Sequence, residues 1–116
     1  MLPLEIVLHI AKNDINIWKA CASIESEYHD FFNTETSKKM YHDIFVKVRT
    51  FGGRTEYTVN GKLHRDYDLP ATIWNDGDQE WWIEGKLHRD EGKPAVIDTD
   101  GHREWRIHGK LIREVG

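Results

Sequence analysis

The stretch Gly61-Lys62-Leu63-His64-Arg65-Asp66 returns unchanged 24 residues later as Gly85-Lys86-Leu87-His88-Arg89-Asp90. After a further 24 it comes back as Gly109-Lys110-Leu111-Ile112-Arg113-Glu114. Laying residues 53–76 over 77–100 gives 12 identities in 24 positions, and residues 101–116 open a third copy. A fixed period of this length marks a repeat architecture, in which each unit packs against its neighbours instead of closing a core alone.

Within the repeats the apolar pattern has a period of two. Ile44, Val46 and Val48 alternate with Phe45, Lys47 and Arg49 before Gly52-Gly53, and the pairs Asp76-Gly77 and Asp100-Gly101 fall in the same place in the next units. Two-residue turns of this kind suit hairpins, because positive φ costs little at glycine. They predict Val46 opposite Val59 and Val48 opposite Tyr57 in the first hairpin. In the second they place Thr72 opposite Trp81 and Pro70 opposite Ile83; in the third, Val96 opposite Trp105 and Pro94 opposite Ile107. One aromatic and one β-branched residue would then share a face in every hairpin, and a one-residue slip would destroy the agreement. On the other face Arg49 meets Glu56, Ile73 meets Glu80 and Ile97 meets Glu104. The glycines at 61, 85 and 109 read as bulges or sharp bends.

Residues 1–43 follow helical spacing instead. Leu4, Val7, Leu8 and Ala11 form one stripe, and Ile17, Trp18, Cys21 and Ile24 form a second behind a cap at Asn13 or Asp14. A short helix is predicted over 25–32, carrying Tyr28, Phe31 and Phe32, and a last one, capped by Thr34 or Thr36, reaches Met40, Tyr41 and Ile44. The fold class is therefore α+β: a helical head (1–43), then an elongated antiparallel hairpin meander (44–116) in three units, about 44–66, 67–90 and 91–116.

Charge narrows the functional classes. The net charge is −4, and from Phe51 onward ten Lys and Arg face thirteen Asp and Glu. That balance argues against a nucleic-acid surface and against anionic headgroups, both of which attract basic patches. A single cysteine, Cys21, permits no internal disulfide and indicates a reducing intracellular setting. Pro3, Glu5 and His9 interrupt the apolar start, which is not a signal peptide.

Two resemblances add to this reading. Trp81-Trp82-Ile83-Glu84-Gly85-Lys86-Leu87-His88-Arg89-Asp90-Glu91-Gly92-Lys93-Pro94-Ala95 resembles the MORN repeat. It is closest to the variant patterned Trp-Trp-x-x-Gly-x-x-His-Arg-x-x-Gly-x-Pro-Ala, carried in many copies by giant DNA viruses of amoebae. The first unit departs from that pattern with Tyr57-Thr58 and Asp68; the third has Trp105-Arg106 and Ile112. The N-terminal part resembles an F-box: Leu2-Pro3-x-Glu5-Ile6 with Ile10, then Cys21-Ala22-Ser23-Ile24, then Tyr28 and Phe31. The resemblance implies a viral adaptor in the host cytoplasm, viral factory or virion. Its Leu2, Pro3, Glu5, Ile6 and Ile10 would dock the Skp adaptor of a cullin–RING ubiquitin ligase while the repeats hold a target.

No enzyme is read here. His64-Arg65-Asp66 and His88-Arg89-Asp90 spell a kinase catalytic-loop triplet, yet no glycine-rich loop or Asp-Phe-Gly accompanies them. The ladder reading has these His and Arg pairing with acids of the neighbouring rung. His64, His88, His102 and His108 lack metal-ligand spacing on one element, so no metal or cofactor is expected. All three serines lie in the head, and Cys21 sits on an apolar stripe. For the repeats, Trp82 with Ile73 and Ile97, and Arg106, is read as a partner-binding strip. The third unit, with no cap of its own, is read as a homodimer edge over residues 101–115, using Trp105, Ile107, Leu111 and Arg113. The competing function is a structural or assembly module whose head serves only as an end cap.

Overall fold

The computed structural model describes residues 2–116, which divide into a helical unit ending at Phe45 and a β unit, Val46–Gly116. Four helices precede an antiparallel meander, the α+β architecture expected from the two periodicities.

In the helical unit, α1 (Leu4–Ala11) starts directly after Pro3, whose carbonyl accepts from the Ile6 and Val7 amides at 3.1 and 3.2 Å. Asp14 caps α2 (Ile15–Ala22), its carboxylate accepting from Asn16 N (2.9 Å) and Ile17 N (3.4 Å), as the sequence predicts. The helix expected over 25–32 shrinks to α3 (His29–Phe32). The Ser23 and Ser26 hydroxyls accept the Glu25 and Tyr28 amides and hold the preceding stretch in turns. Ile24 consequently lies outside α2 and is 84% exposed instead of completing its stripe. Thr34 Oγ1 accepts from Ser37 N at the start of α4 (Glu35–Phe45). That helix reaches Ile44 as expected and takes up Phe45 as well, so the first strand begins at Val46 instead of at Ile44. Trp18 is the centre of this core, edge-on to Phe32 at 4.9 Å and to Phe45 at 5.8 Å. Val7, Ala11, Cys21 and Tyr41 are buried with it.

The β unit opens with β1 (Val46–Phe51) and β2 (Arg54–Val59) around Gly52-Gly53, both at positive φ (57° and 79°). Val46 pairs with Val59, Val48 with Tyr57 and Arg49 with Glu56, as the alternation requires. The second and third turns differ. Trp74 O accepts from Gly77 N, Trp74 N donates to Asp78 O, and Asp76 Oδ1 accepts from Asp78 N, all at 2.9 Å. The loop is therefore three residues long, closed by an aspartate side chain that Gly52-Gly53 lacks. Asp98, Gly101, His102 and Asp100 repeat these bonds 24 residues on.

One extra loop residue moves the register by one. Thr72 pairs with Glu80 and Ile73 with Gln79 between β4 (Thr72–Trp74) and β5 (Gln79–Glu80). Val96 pairs with Glu104 and Ile97 with Arg103 between β8 (Val96–Ile97) and β9 (Arg103–Ile107). The expected Thr72–Trp81, Pro70–Ile83, Val96–Trp105 and Pro94–Ile107 pairs do not form.

Nor are the glycines at 61, 85 and 109 bulges: each closes a second tight hairpin. Asn60-Gly61 turns β2 into β3 (Lys62–Leu63). Glu84-Gly85 joins β6 (Trp82–Ile83) to β7 (Lys86–Leu87), and His108-Gly109 joins β9 to β10 (Lys110–Val115). Both central residues have positive φ in every case: 52° and 77°, 50° and 80°, 48° and 83°.

Tyr57 and Trp81 are the pivots of this arrangement. Tyr57 N donates to Ala71 O while Tyr57 O accepts from His64 N; Trp81 does the same with Ala95 and His88. Each long strand is thus covered along one edge by two separate half-strands, and the chain between them loops outward. In the third rung β10 covers β9 alone, from Lys110 opposite Ile107 to Val115 opposite Arg103, with a bulge between Leu111 and Arg113. No helix follows Phe45 among the described residues, and none in the chain's described part is long and apolar enough to cross a membrane.

A lateral row, Glu56–Thr72–Glu80–Val96–Glu104, crosses one face of the sheet. Thr72 is buried in it, and its Oγ1 has no hydrogen-bond partner among the described residues. Its equivalent one period later is Val96. Replacing a buried, unpaired hydroxyl by a methyl of the same shape removes a desolvation cost. Thr72→Val is expected to stabilise the protein by about 1 kcal/mol, seen as a higher urea midpoint at unchanged m-value; a lower midpoint would refute the assignment.

Candidate functional site

The repeated His-Arg-Asp triplet builds the contacts between rungs. His64 is buried, and its Nδ1 accepts from Glu84 N in the next rung's turn at 2.9 Å. Because Nδ1 is an acceptor, the proton sits on Nε2, which donates to Asp66 Oδ1 at 2.9 Å. His88 repeats the arrangement with His108 N (2.9 Å) and Asp90 Oδ1 (2.8 Å). The ladder reading placed the acid partner on the neighbouring rung. The acid is instead two residues away on the same rung, and the neighbour contributes a backbone amide. With both nitrogens engaged, neither imidazole has a lone pair to offer a substrate proton.

The arginines follow the aromatic ladder. Arg65 lies over the Tyr57 ring at 3.8 Å, Arg89 over Trp81 at 3.8 Å and Arg113 over Trp105 at 4.7 Å. Trp81 Nε1 donates to Asp68 O and Trp105 Nε1 to Gly92 O, again one period apart. The three rings therefore repeat one environment. Arg89 also grips Asp68 of the preceding loop with Nε and Nη2 at 2.8 and 3.2 Å, and Lys93 adds a third contact at 3.0 Å. Arg65, Asp68, Trp81, Arg89 and Asp90 border a cavity of about 270 Å³ between consecutive loops. Hydrogen bonds from Arg89 and then Lys93 hold the Asp68 carboxyl down, from the ordinary 3.8 to about 2. Asp68 occupies the place of Gly92 at φ 56°. Its departure from the repeat pattern was the only sequence signal for this contact.

The proposed strip on the repeats is not formed. Trp82 Nε1 donates to Glu80 Oε1 at 2.9 Å, so Trp82 lies on the face of Glu80 and Thr72. Ile73 and Ile97 pair with Gln79 and Arg103 and therefore occupy the opposite face. The one-residue shift at the Asp-Gly turns separates them. Arg106 does share the face of Trp82, and is held by Glu104 Oε1 at 2.8 Å and by Gly109 O at 3.0 Å. At the expected dimer edge Trp105 is half-buried, Arg113 stacks on it, and Ile107 and Leu111 are exposed.

In the head, Leu2, Ile6 and Ile10 are 54%, 47% and 42% exposed, and Pro3 and Glu5 are exposed beside them. Val7 and Ala11 turn the other side of α1 into the core. Tyr28 Oη donates to Leu2 O at 2.6 Å, and Leu2, Pro3, Leu4, Tyr28 and Phe31 line an apolar groove of about 330 Å³. The start of α1 and the Tyr28–Phe31 segment thus meet in space. Cys21 is buried, and burial pushes its thiol up, away from nucleophilic use.

No family model, curated protein or solved structure matches the chain.

The Asp68 cluster has a pH signature. A carboxyl whose folded pKa is depressed contributes stability above its unfolded value, and loses it as pH falls from about 3.8 through about 2. Asp68 is 44% exposed, so solvent screening limits the contribution to about 0.5–1 kcal/mol. The stability gap between the natural chain and Asp68→Asn is expected to be full at pH 5 and to close towards pH 2 in urea titrations. A gap that is constant over that range would exclude the ion pair as its source.

Proposed function

We propose that this chain is a non-enzymatic interaction adaptor. The F-box-like head recruits a Skp–cullin ubiquitin ligase through Leu2, Pro3, Glu5, Ile6 and Ile10, and the MORN-like repeats hold a target. The observation that carries the reading is the apolar pair Ile6 and Ile10, spaced by four on the outer side of α1 with Leu2 exposed just ahead of the helix, left open while Val7 and Ala11 pack inward. An apolar row on a short helix, beside an apolar groove, is the form of a helix-mediated docking face. Binding rather than catalysis is supported in the repeats by His64 and His88, whose nitrogens are spent on Asp66, Asp90 and two turn amides. The setting proposed is the host cytoplasm.

Affinity purification from host lysate, natural chain against a Leu2/Pro3/Ile6 triple variant, is the test. The natural chain is expected to retain Skp and cullin subunits and the variant to lose them. Recovery of neither subunit by the natural chain, or equal recovery by both, removes the ligase half of the proposal.

The second reading, an assembly module that dimerises through the third rung, draws on the open edge of β10. Leu111, Ile112 and Val115 are exposed there. The bulge at Ile112, with Lys110, Arg113 and Glu114 along the same strand, works against edge pairing. Sedimentation at micromolar concentration separates the two: a dimer that dissociates on Ile112→Lys supports assembly, and a monomer removes it.

A further inference from the structure

His102 and Glu104 stand two apart on β9 or its approach, and Glu114 of β10 lies directly across from Glu104. Positions i and i+2 of a strand project to one face, and a cross-strand partner of i+2 joins them there. The side chains meet accordingly. His102 Nε2 is 2.8 Å from Glu104 Oε2 and 3.8 Å from Glu114 Oε2, and the three ligand atoms lie within 4.8 Å of one another. It is the one such set of three among the described residues.

Two further features distinguish this trio from a solvated acidic face. Like charges set directly opposite on antiparallel strands repel, and the hairpin places Glu104 against Glu114 with the single imidazole of His102 shared between them. Glu104 is also already oriented: Arg106 binds Oε1 through Nε and Nη2, both at 2.8 Å, which leaves Oε2 aimed at His102 and Glu114. That is the arrangement by which outer partners fix a ligating carboxylate. The equivalent positions of the other rungs carry Asp78, Glu80 and Asp90, or Arg54, Glu56 and Asp66, so the histidine is particular to the third.

We propose that His102, Glu104 and Glu114 form a site for a divalent cation of the zinc class. One imidazole nitrogen and two carboxylate oxygens suit Zn²⁺, which takes such ligands at about 2.0–2.2 Å in tetrahedral geometry. Ligand atoms around such an ion stand about 3.3 Å apart, between the separations of 2.8 and 3.8 Å found here. Zinc would replace the His102–Glu104 hydrogen bond, with the imidazole proton carried on Nδ1. Glu114 is 55% exposed, so the fourth position opens to water or to a ligand from a partner. The site clamps β10 to β9 and would stiffen the bulged edge.

The test titrates the full chain with ZnCl₂ in a non-chelating buffer, by calorimetry and by thermal unfolding, beside His102→Gln and Glu114→Gln. Both variants leave the Glu104–Arg106 pair intact, and circular dichroism checks their fold. One zinc per chain is expected, with at least about tenfold weaker binding in each variant and a zinc-dependent rise in Tm only in the natural chain. Absence of binding, or equal binding by the natural chain and both variants, overturns the site.

Discussion

The repeats depend on a backbone conformation that most residues avoid. Each long strand ends in a turn whose first residue is forced to positive φ, at a cost of about 1–2 kcal/mol for a residue with a side chain. Asn60, which tolerates that region, holds the first turn without an imidazole acceptor from an earlier rung. Glu84 and His108 tolerate it less well, and each has its amide bound by the imidazole of the rung before. Where the local preference is weakest, the neighbour supplies the restraint. His64 and His88 are thus better understood as structural acceptors than as chemical groups, and their burial follows from that task.

Charge is arranged to serve the same contacts. Arg65, Arg89 and Arg113 each cover the aromatic ring at the middle of their own rung, and Arg89 reaches back to Asp68. An arginine placed over an aromatic face keeps N–H donors for other partners, here the Pro70 and Pro94 carbonyls for Arg65 and Arg89. Each such contact is modest alone. Repeated at one period, they join rungs that are individually too thin to bury a core.

Much of this was legible in the chain, and the failures share a cause. The period, the helical head and the first hairpin's pairing follow from apolar spacing and from Gly52-Gly53, whereas the shared face expected for Tyr57, Trp81 and Trp105 rests on pairs of which only Val48–Tyr57 forms. Aspartate side chains decided the rest. Asp76 and Asp100 bind amides two residues on and lengthen their loops, which moves Ile73 and Ile97 away from Trp82. Asn60-Gly61, a strong two-residue turn signal, reads in the sequence only as a bulge or sharp bend within a strand-like run. The His102, Glu104 and Glu114 trio depended on the strand pairing across His108-Gly109, which a bulge reading could not supply. Ser23 and Ser26 shortened the third helix by the same kind of local competition for backbone amides.

The histidine contact spans 20 residues in both places, from 64 to 84 and from 88 to 108. Excising one whole period would bring His64 to the turn now served by His88, with every donor and acceptor back in phase. A shorter deletion between residues 64 and 84 or between 88 and 108 would leave an imidazole facing the wrong backbone atom. A gene for such a ladder can therefore grow or shrink by recombination between its own copies, but only in whole periods, and loops that drift in length are confined to places the bridge does not cross.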